Sequence, residues 1–129
     1  MTYIYEKLDV WQKAMQFAGK IMDTVPTSVN AHEYQKVMQN IGAKSTQIAG
    51  AIAAGKSYTS KHDFAKHLYR SRGALYETMT MLELLKQKQI IPEDKYIEFD
   101  ASANQITAML TNLVKSLYKP KSDNAKAEN

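Results

Sequence analysis

Gly50-Ala51-Ile52-Ala53-Ala54-Gly55-Lys56-Ser57 carries the spacing G-x-x-x-x-G-K-[ST]. That spacing does chemistry when glycines let backbone amides curl around phosphates, the lysine reaches the terminal phosphates and the hydroxyl holds Mg²⁺. The working form needs a buried strand before the loop and a helix directly after the lysine. Upstream, however, QNIGAKSTQIA continues a helical repeat, and Tyr58-Thr59 separate Lys56-Ser57 from the best helix cap, Ser60. No apolar strand ends in a metal-binding aspartate, because Ile97-Glu98-Phe99-Asp100 lies inside a heptad. The eight residues read better as the end of a helix and the start of a turn, and a nucleotide-binding enzyme is the weaker reading.

The second group with chemical potential is basic. Lys56, Lys61, His62, Lys66, His67, Arg70 and Arg72 follow one another with Asp63 the only acid before Glu77. On a helix, His62, Lys66 and Arg70 lie four apart and share a face, and Lys44 can add to it from the preceding segment. A one-sided positive surface of this kind suits phosphate contact; the plainer reading is a solvated charged face. Tyr58 and Tyr69 lie nearby and could stack on bases, although buried or interfacial roles are commoner for tyrosine. Arg72 falls close to the apolar stripe of its segment, where an arginine pairs with a carboxylate or caps carbonyls. Arg72 and Glu77 are therefore read as structural ion-pair or interface residues, though Glu77, five residues on, is not read as its direct partner.

No catalytic residue, metal or cofactor is expected. His62 and His67 are five apart and cannot share a face, and His32 sits at a helix start. Neither metal-ligand spacing nor the signature of a nucleophilic serine is present.

These residues must be positioned by helices. Pro26, Pro92 and Pro120 punctuate the chain, and the segments between them scan at helical spacing. The first runs from about Leu8 to Val25, with Leu8, Trp11, Met15, Ala18, Met22 and Val25 as its inner stripe, Trp11 in the core and Pro26 as its stop. The second opens at Asn30 with Glu33 as capping partner. It continues through Tyr34, Met38, Ile41, Ser45, Ile48 and Ile52, and Gly55 ends it by adopting left-handed angles. The third opens at Ser60, with Asp63 three residues on. Its stripe is Phe64, Leu68, Leu75, Met79 and Leu82, interrupted at Ser71 and Arg72. The fourth has Pro92 in its first turn and Tyr96, Phe99, Ala103, Ile106, Leu110, Leu113 and Leu117 as a clean heptad. An all-α, antiparallel up-and-down four-helix bundle over residues 1–119 follows. Thr2–Tyr5 extend the short first helix or pack over its end, and residues 120–129 form a disordered polar tail.

Some helices carry a second apolar row. The plainer reading is a wide core-facing stripe; the sharper one makes Tyr69, Gly73, Tyr76, Ile97, Met109, Val114 and Tyr118 a candidate oligomer interface, with Gly73 admitting a close backbone approach.

The chain of 129 residues suits one domain. It has no cysteine, which fits a reducing cytoplasm. Its opening carries acids early and is not expected to act as a signal peptide, and no run nears the ~20 apolar residues of a membrane helix. The net charge of +4 is mild, but residues 31–91 hold nine Lys/Arg against four acids, whereas residues 92–119 hold three against four. The positive field belongs to the middle of the chain.

Leu8-Asp9-Val10-Trp11-Gln12-Lys13-Ala14 resembles the opening of the bacterial four helix bundle proteins. These include proteins encoded in 23S rRNA intervening sequences and the accessory variability determinant proteins of diversity-generating retroelements. Gln47 to Gly55 resembles the family's S-I-x-x-N-I-A-E-G segment, and Ser71-Arg72-Gly73-Ala74-Leu75-Tyr76-Glu77 its A-R-G-S-L-x-E run. The family's Asn and Glu before the glycine are Ala51 and Ala54 here, so their polar contacts are absent. The resemblance implies an up-and-down protomer assembled as a homopentameric ring with a basic surface. In the retroelement members it implies nucleic-acid binding beside a reverse transcriptase. The expectation is therefore a non-enzymatic, oligomeric protein that binds RNA or DNA phosphates. The alternative is a protein-interaction scaffold, or an intervening-sequence protein with no nucleic-acid role.

Overall fold

A computed structural model of the chain describes residues 2–28 and 34–119, apart from the side chains of residues 26–28. A 3-10 turn at Ile4–Lys7 leads into four helices: α1 (Asp9–Ser28), α2 (Gln35–Lys56), α3 (Lys61–Gln87) and α4 (Glu93–Leu117). No strand occurs among the described residues. Each helix packs on its sequence neighbours, and α1 also meets α4, so the four close into a bundle. The α2–α3 seam is the most extensive and the α1–α4 seam the least.

The core is aliphatic, with Ile21, Ile41, Ile48, Ile52, Leu68, Leu75, Leu82, Leu85, Ile106 and Leu110 as its largest fully buried side chains. Phe17 meets Phe99 edge-on at 6.2 Å between ring centres and ties α1 to α4. In α2 and α4 the buried positions follow the expected stripes. In α1 they do not. Val10, Ala14, Phe17, Ala18, Ile21 and Val25 face inward, while Met15 and Met22 are 49% and 55% exposed. Both sets recur at steps of three and four, so periodicity alone does not say which one turns inward. On α1 the branched and aromatic side chains turn to the core, and the flexible Met15 and Met22 stay outside. Trp11 is half-buried against the core rather than within it.

The N-terminal motif has a structural use. Trp11 packs edge-on to Tyr5 at 5.1 Å, and the Gln12 amide donates to the Glu6 carbonyl at 2.8 Å. Together they hold the 3-10 turn against α1. Helix ends agree with the sequence in part. Ser60 caps α3, its hydroxyl accepting from the Asp63 amide at 3.3 Å. Pro92 is the N-cap of α4 and lies just outside the helix. Position 26 does not stop α1, which continues to Ser28. A proline removes one amide and crowds one carbonyl, a modest loss in a last turn. The expected opening at Asn30 with Glu33, His32, and the tail from residue 120 lie outside the described residues.

Gly55 requires a different account. No glycine has a positive φ, and Gly55 lies within the last turn of α2. Its lack of a side chain serves a close approach. A Cβ there would sit 2.6 Å from the His67 Cβ and 3.0 Å from Phe64 Cδ1. At Gly73 the reverse holds: a Cβ would meet nothing within 4 Å, so no close approach within the protomer explains it.

Candidate nucleic-acid interface

Residues 50–56 are helical throughout, and Ser57 closes α2 with its hydroxyl donating to the Ala54 carbonyl at 2.6 Å. Amides committed to a helix cannot curl around an anion, so the phosphate-loop geometry is absent here.

The same residues form one side of a corner, completed by the short turn to α3. Three features hold it. Gly55 lets His67 pack against α2. The Ser71 hydroxyl, fully buried, donates across the seam to the Ile48 carbonyl at 2.7 Å. His67 Nδ1–H donates to the Asp63 carbonyl at 2.8 Å, and Tyr58 lies on the imidazole with ring centres 5.0 Å apart. Ser71 looked like a break in the α3 stripe. In fact it is the polar link that sets α3 against α2, and a serine in an otherwise apolar heptad was the one visible sign of it.

Around the corner stand the basic side chains. Lys61, His62, Lys66 and Arg70 are exposed, and none makes an ion pair among the described residues. Lys56, half-buried, reaches over the Phe64 ring at 5.2 Å. Lys61 shares the first turn of α3 with His62 and with Asp63, whose carboxylate suits the positive end of the helix dipole.

Arg70 lines a groove of about 210 Å³ with Gln47, Gly50, Ala51, Ala54 and Ala74. Positions 51 and 54, where the resembled family carries Asn and Glu, therefore share a groove with this guanidinium. Alanine at both leaves no carboxylate there to neutralise it.

Other candidate residues are placed differently. Lys44 pairs with Glu77 at 2.8 Å. It lies twelve residues before Lys56, ~18 Å along α2, and does not join the corner. Glu77 thus finds its partner on α2, and Arg72 stacks over the Tyr69 ring at 4.8 Å. Tyr69, Gly73 and Tyr76 are exposed on the outer face of α3, beside Lys66 and Arg70. The rows expected for an oligomer interface and for phosphates are therefore neighbours. On α4, Ile97 and Tyr118 are exposed, whereas Met109 and Val114 lean on the core of their own chain.

At the far end of the bundle, Lys86 pairs with Glu83 at 2.9 Å and lies over the Tyr96 ring at 4.4 Å. The hydrogen bond from Lys86 holds the Glu83 carboxyl below its ordinary range, and the same bond raises Lys86. Burial, reinforced by Glu83, raises the Tyr96 phenol.

A concavity of about 510 Å³ between α1 and α2 is lined by Ile21, Met22, Val25, Met38 and Ile41 among others. No charged side chain lines it, so it offers no ligand for an anion. Among the described residues no three His, Cys, Asp or Glu gather as metal ligands, and no helix is long and apolar enough to cross a membrane.

Among curated proteins, none matches the chain. A solved structure from Bacteroides thetaiotaomicron, described as a protein of unknown function from the S23 ribosomal protein family, is similar at 24% identity. Its TM-score is 0.75, covering 82% of this chain and 98% of that one. That likeness shows the same helical fold. The family model described as 23S rRNA-intervening sequence protein matches residues 6–112. With that match across nearly the whole bundle, the chain belongs to the 23S rRNA-intervening sequence protein family.

Proposed function

We propose that this chain is a non-enzymatic nucleic-acid-binding protein that holds RNA or DNA phosphates at the α2–α3 corner and along the outer face of α3. One observation carries the reading: Lys61, Lys66 and Arg70 project from a well-packed helix with no ion-pair partner among the described residues. Lys66 and Arg70 share a face of α3, with Lys61 on another flank at its start. Such unpaired cations release condensed counterions when they meet phosphates, which makes binding salt-dependent and largely indifferent to sequence. The protein acts as an accessory, and a reverse transcriptase of a diversity-generating retroelement is the partner suggested by the resemblance. Titration into a generic labelled RNA and a generic DNA should give a shift that fades as salt rises. No shift at low salt would remove the reading.

A second reading has its own support. Tyr76, Leu84, Ile97 and Tyr118 remain about half exposed or more on α3 and α4, and such rows suit burial against copies of the same chain. A homopentameric ring would multiply the basic faces and strengthen their field. Sedimentation equilibrium should find five copies; a monomer at all concentrations would rule the ring out.

A further inference from the structure

We infer that the corner is built for a single-stranded nucleic acid rather than a duplex, with Tyr58 and Tyr69 stacking bases on either flank of the Lys66–Arg70 row. The inference rests on the phosphate-binding reading above and names the class of strand it takes.

Tyr58 sits in the turn between α2 and α3 and is 50% exposed. It is not loose. Its amide donates to the Gly55 carbonyl at 3.2 Å, and its ring leans on His67 at 5.0 Å with a tilt of 35°. His67 is held in turn by the Asp63 carbonyl and by the space that Gly55 leaves. The side chain is thus presented to solvent with one contact behind it, which spares a ligand the ordering cost. Tyr69, also 50% exposed, is backed by the Arg72 guanidinium at 4.8 Å.

Geometry places charge between the two rings. At 3.6 residues per turn, positions 67 and 69 fall on nearly opposite flanks of α3. His62, Lys66 and Arg70 lie on the arc between them and repeat every ~6 Å along the axis, with the half-buried Asp63 carboxylate on the His67 side of that row. Aromatic faces beside a line of cations suit a strand whose bases are free to splay while its phosphates track the charge. A duplex keeps its base faces inside the stack and offers these tyrosines only its ends. Stacking needs no edge contacts, so the preference is for strandedness and not for sequence.

The test uses the full chain and 5′-labelled 20-nucleotide single strands (oligo-rA and oligo-dA) beside a 20-base-pair duplex, read by anisotropy at one salt concentration. The wild type should favour both single strands over the duplex. Tyr58→Ala and Tyr69→Ala should each weaken single-strand binding at least about fivefold. Duplex affinity and the salt slope should stay as they were, and Tyr58→Phe and Tyr69→Phe should keep wild-type binding because the ring face remains. Equal binding of strand and duplex, alanine variants at wild-type affinity, or phenylalanine variants as weak as alanine would each overturn the stacking role. Lys66→Glu/Arg70→Glu separates the two levels. If it weakens binding while the alanine variants do not, phosphate contact stands and stacking falls. If it changes nothing, both fall.

Discussion

The two ends of this bundle use the same kinds of side chain to opposite effect. Toward the C-terminus of α3 and the start of α4, Lys86 lies against Glu83 and Tyr96, and Lys95 reaches Glu98 at 3.5 Å. At the α2–α3 corner, Lys61, Lys66 and Arg70 have no carboxylate partner among the described residues. Exposed ion pairs add little to stability, so pairing them or leaving them alone costs the fold almost nothing. What changes is the field: one end is locally neutralised and the other carries unpaired cations. Stability at the corner has to come from packing, and it does, through Gly55, Phe64, His67 and the buried Ser71 hydroxyl.

That division of labour can be broken at the packing first. Gly55→Ala should cost about 1–3 kcal/mol, because the new methyl has to displace the His67 Cβ and so pry α2 from α3. Chemical denaturation reads it directly, and an unchanged midpoint would mean that the corner is not close-packed. Ser71→Ala is smaller, a loss of about 1 kcal/mol for one buried inter-helix hydrogen bond. Gly73→Ala sharpens the contrast with Gly55, since the same substitution should now stabilise by up to ~1 kcal/mol through helix propensity alone. A loss there would show that a second chain occupies the space beside Gly73.

The smallest effect belongs to the paired end and is read by pH. Glu83 is held below its ordinary value of 4.5, so its contribution is complete above that pH and fades as the solution is made more acid. Tyr96 and Lys86 are raised above 10.0 and 10.5, so theirs is complete below those values and fades in stronger alkali. A melting-temperature profile should be flat between these limits and dip slightly outside them, with Glu83→Gln removing the acid arm. An acid arm that survives Glu83→Gln would assign it to other carboxylates.

Much of this was legible in the residue order. Helix number, the Ser60 cap and the α2 and α4 stripes follow from local signals that the fold has no reason to override. What stayed hidden depends on partners remote in sequence. Lys44 and Glu77 are 33 residues apart and meet only because α2 and α3 run antiparallel, side by side. Ser71 finds its acceptor 23 residues back. Gly55 carried the right letter for a wrong reason, since a glycine that ends a helix and one that admits a neighbour look alike in sequence. In α1 two stripes of equal period competed, and only the packed core separates Phe17 and Ile21 from Met15 and Met22. Of the candidate interface, the α3 row of cations was visible because it is local. The isolation of Arg70 among small α2 residues was not.

The availability of the corner cations is tested most directly by a salt titration of single-stranded RNA binding between about 50 and 200 mM, run on the wild type and on Lys66→Glu/Arg70→Glu. The wild type should weaken steadily as salt rises. The double reversal should bind less tightly throughout, with a log–log slope shallower by about 1.4 for two lost phosphate contacts. Two superimposable lines would mean that these charges meet water and nothing else.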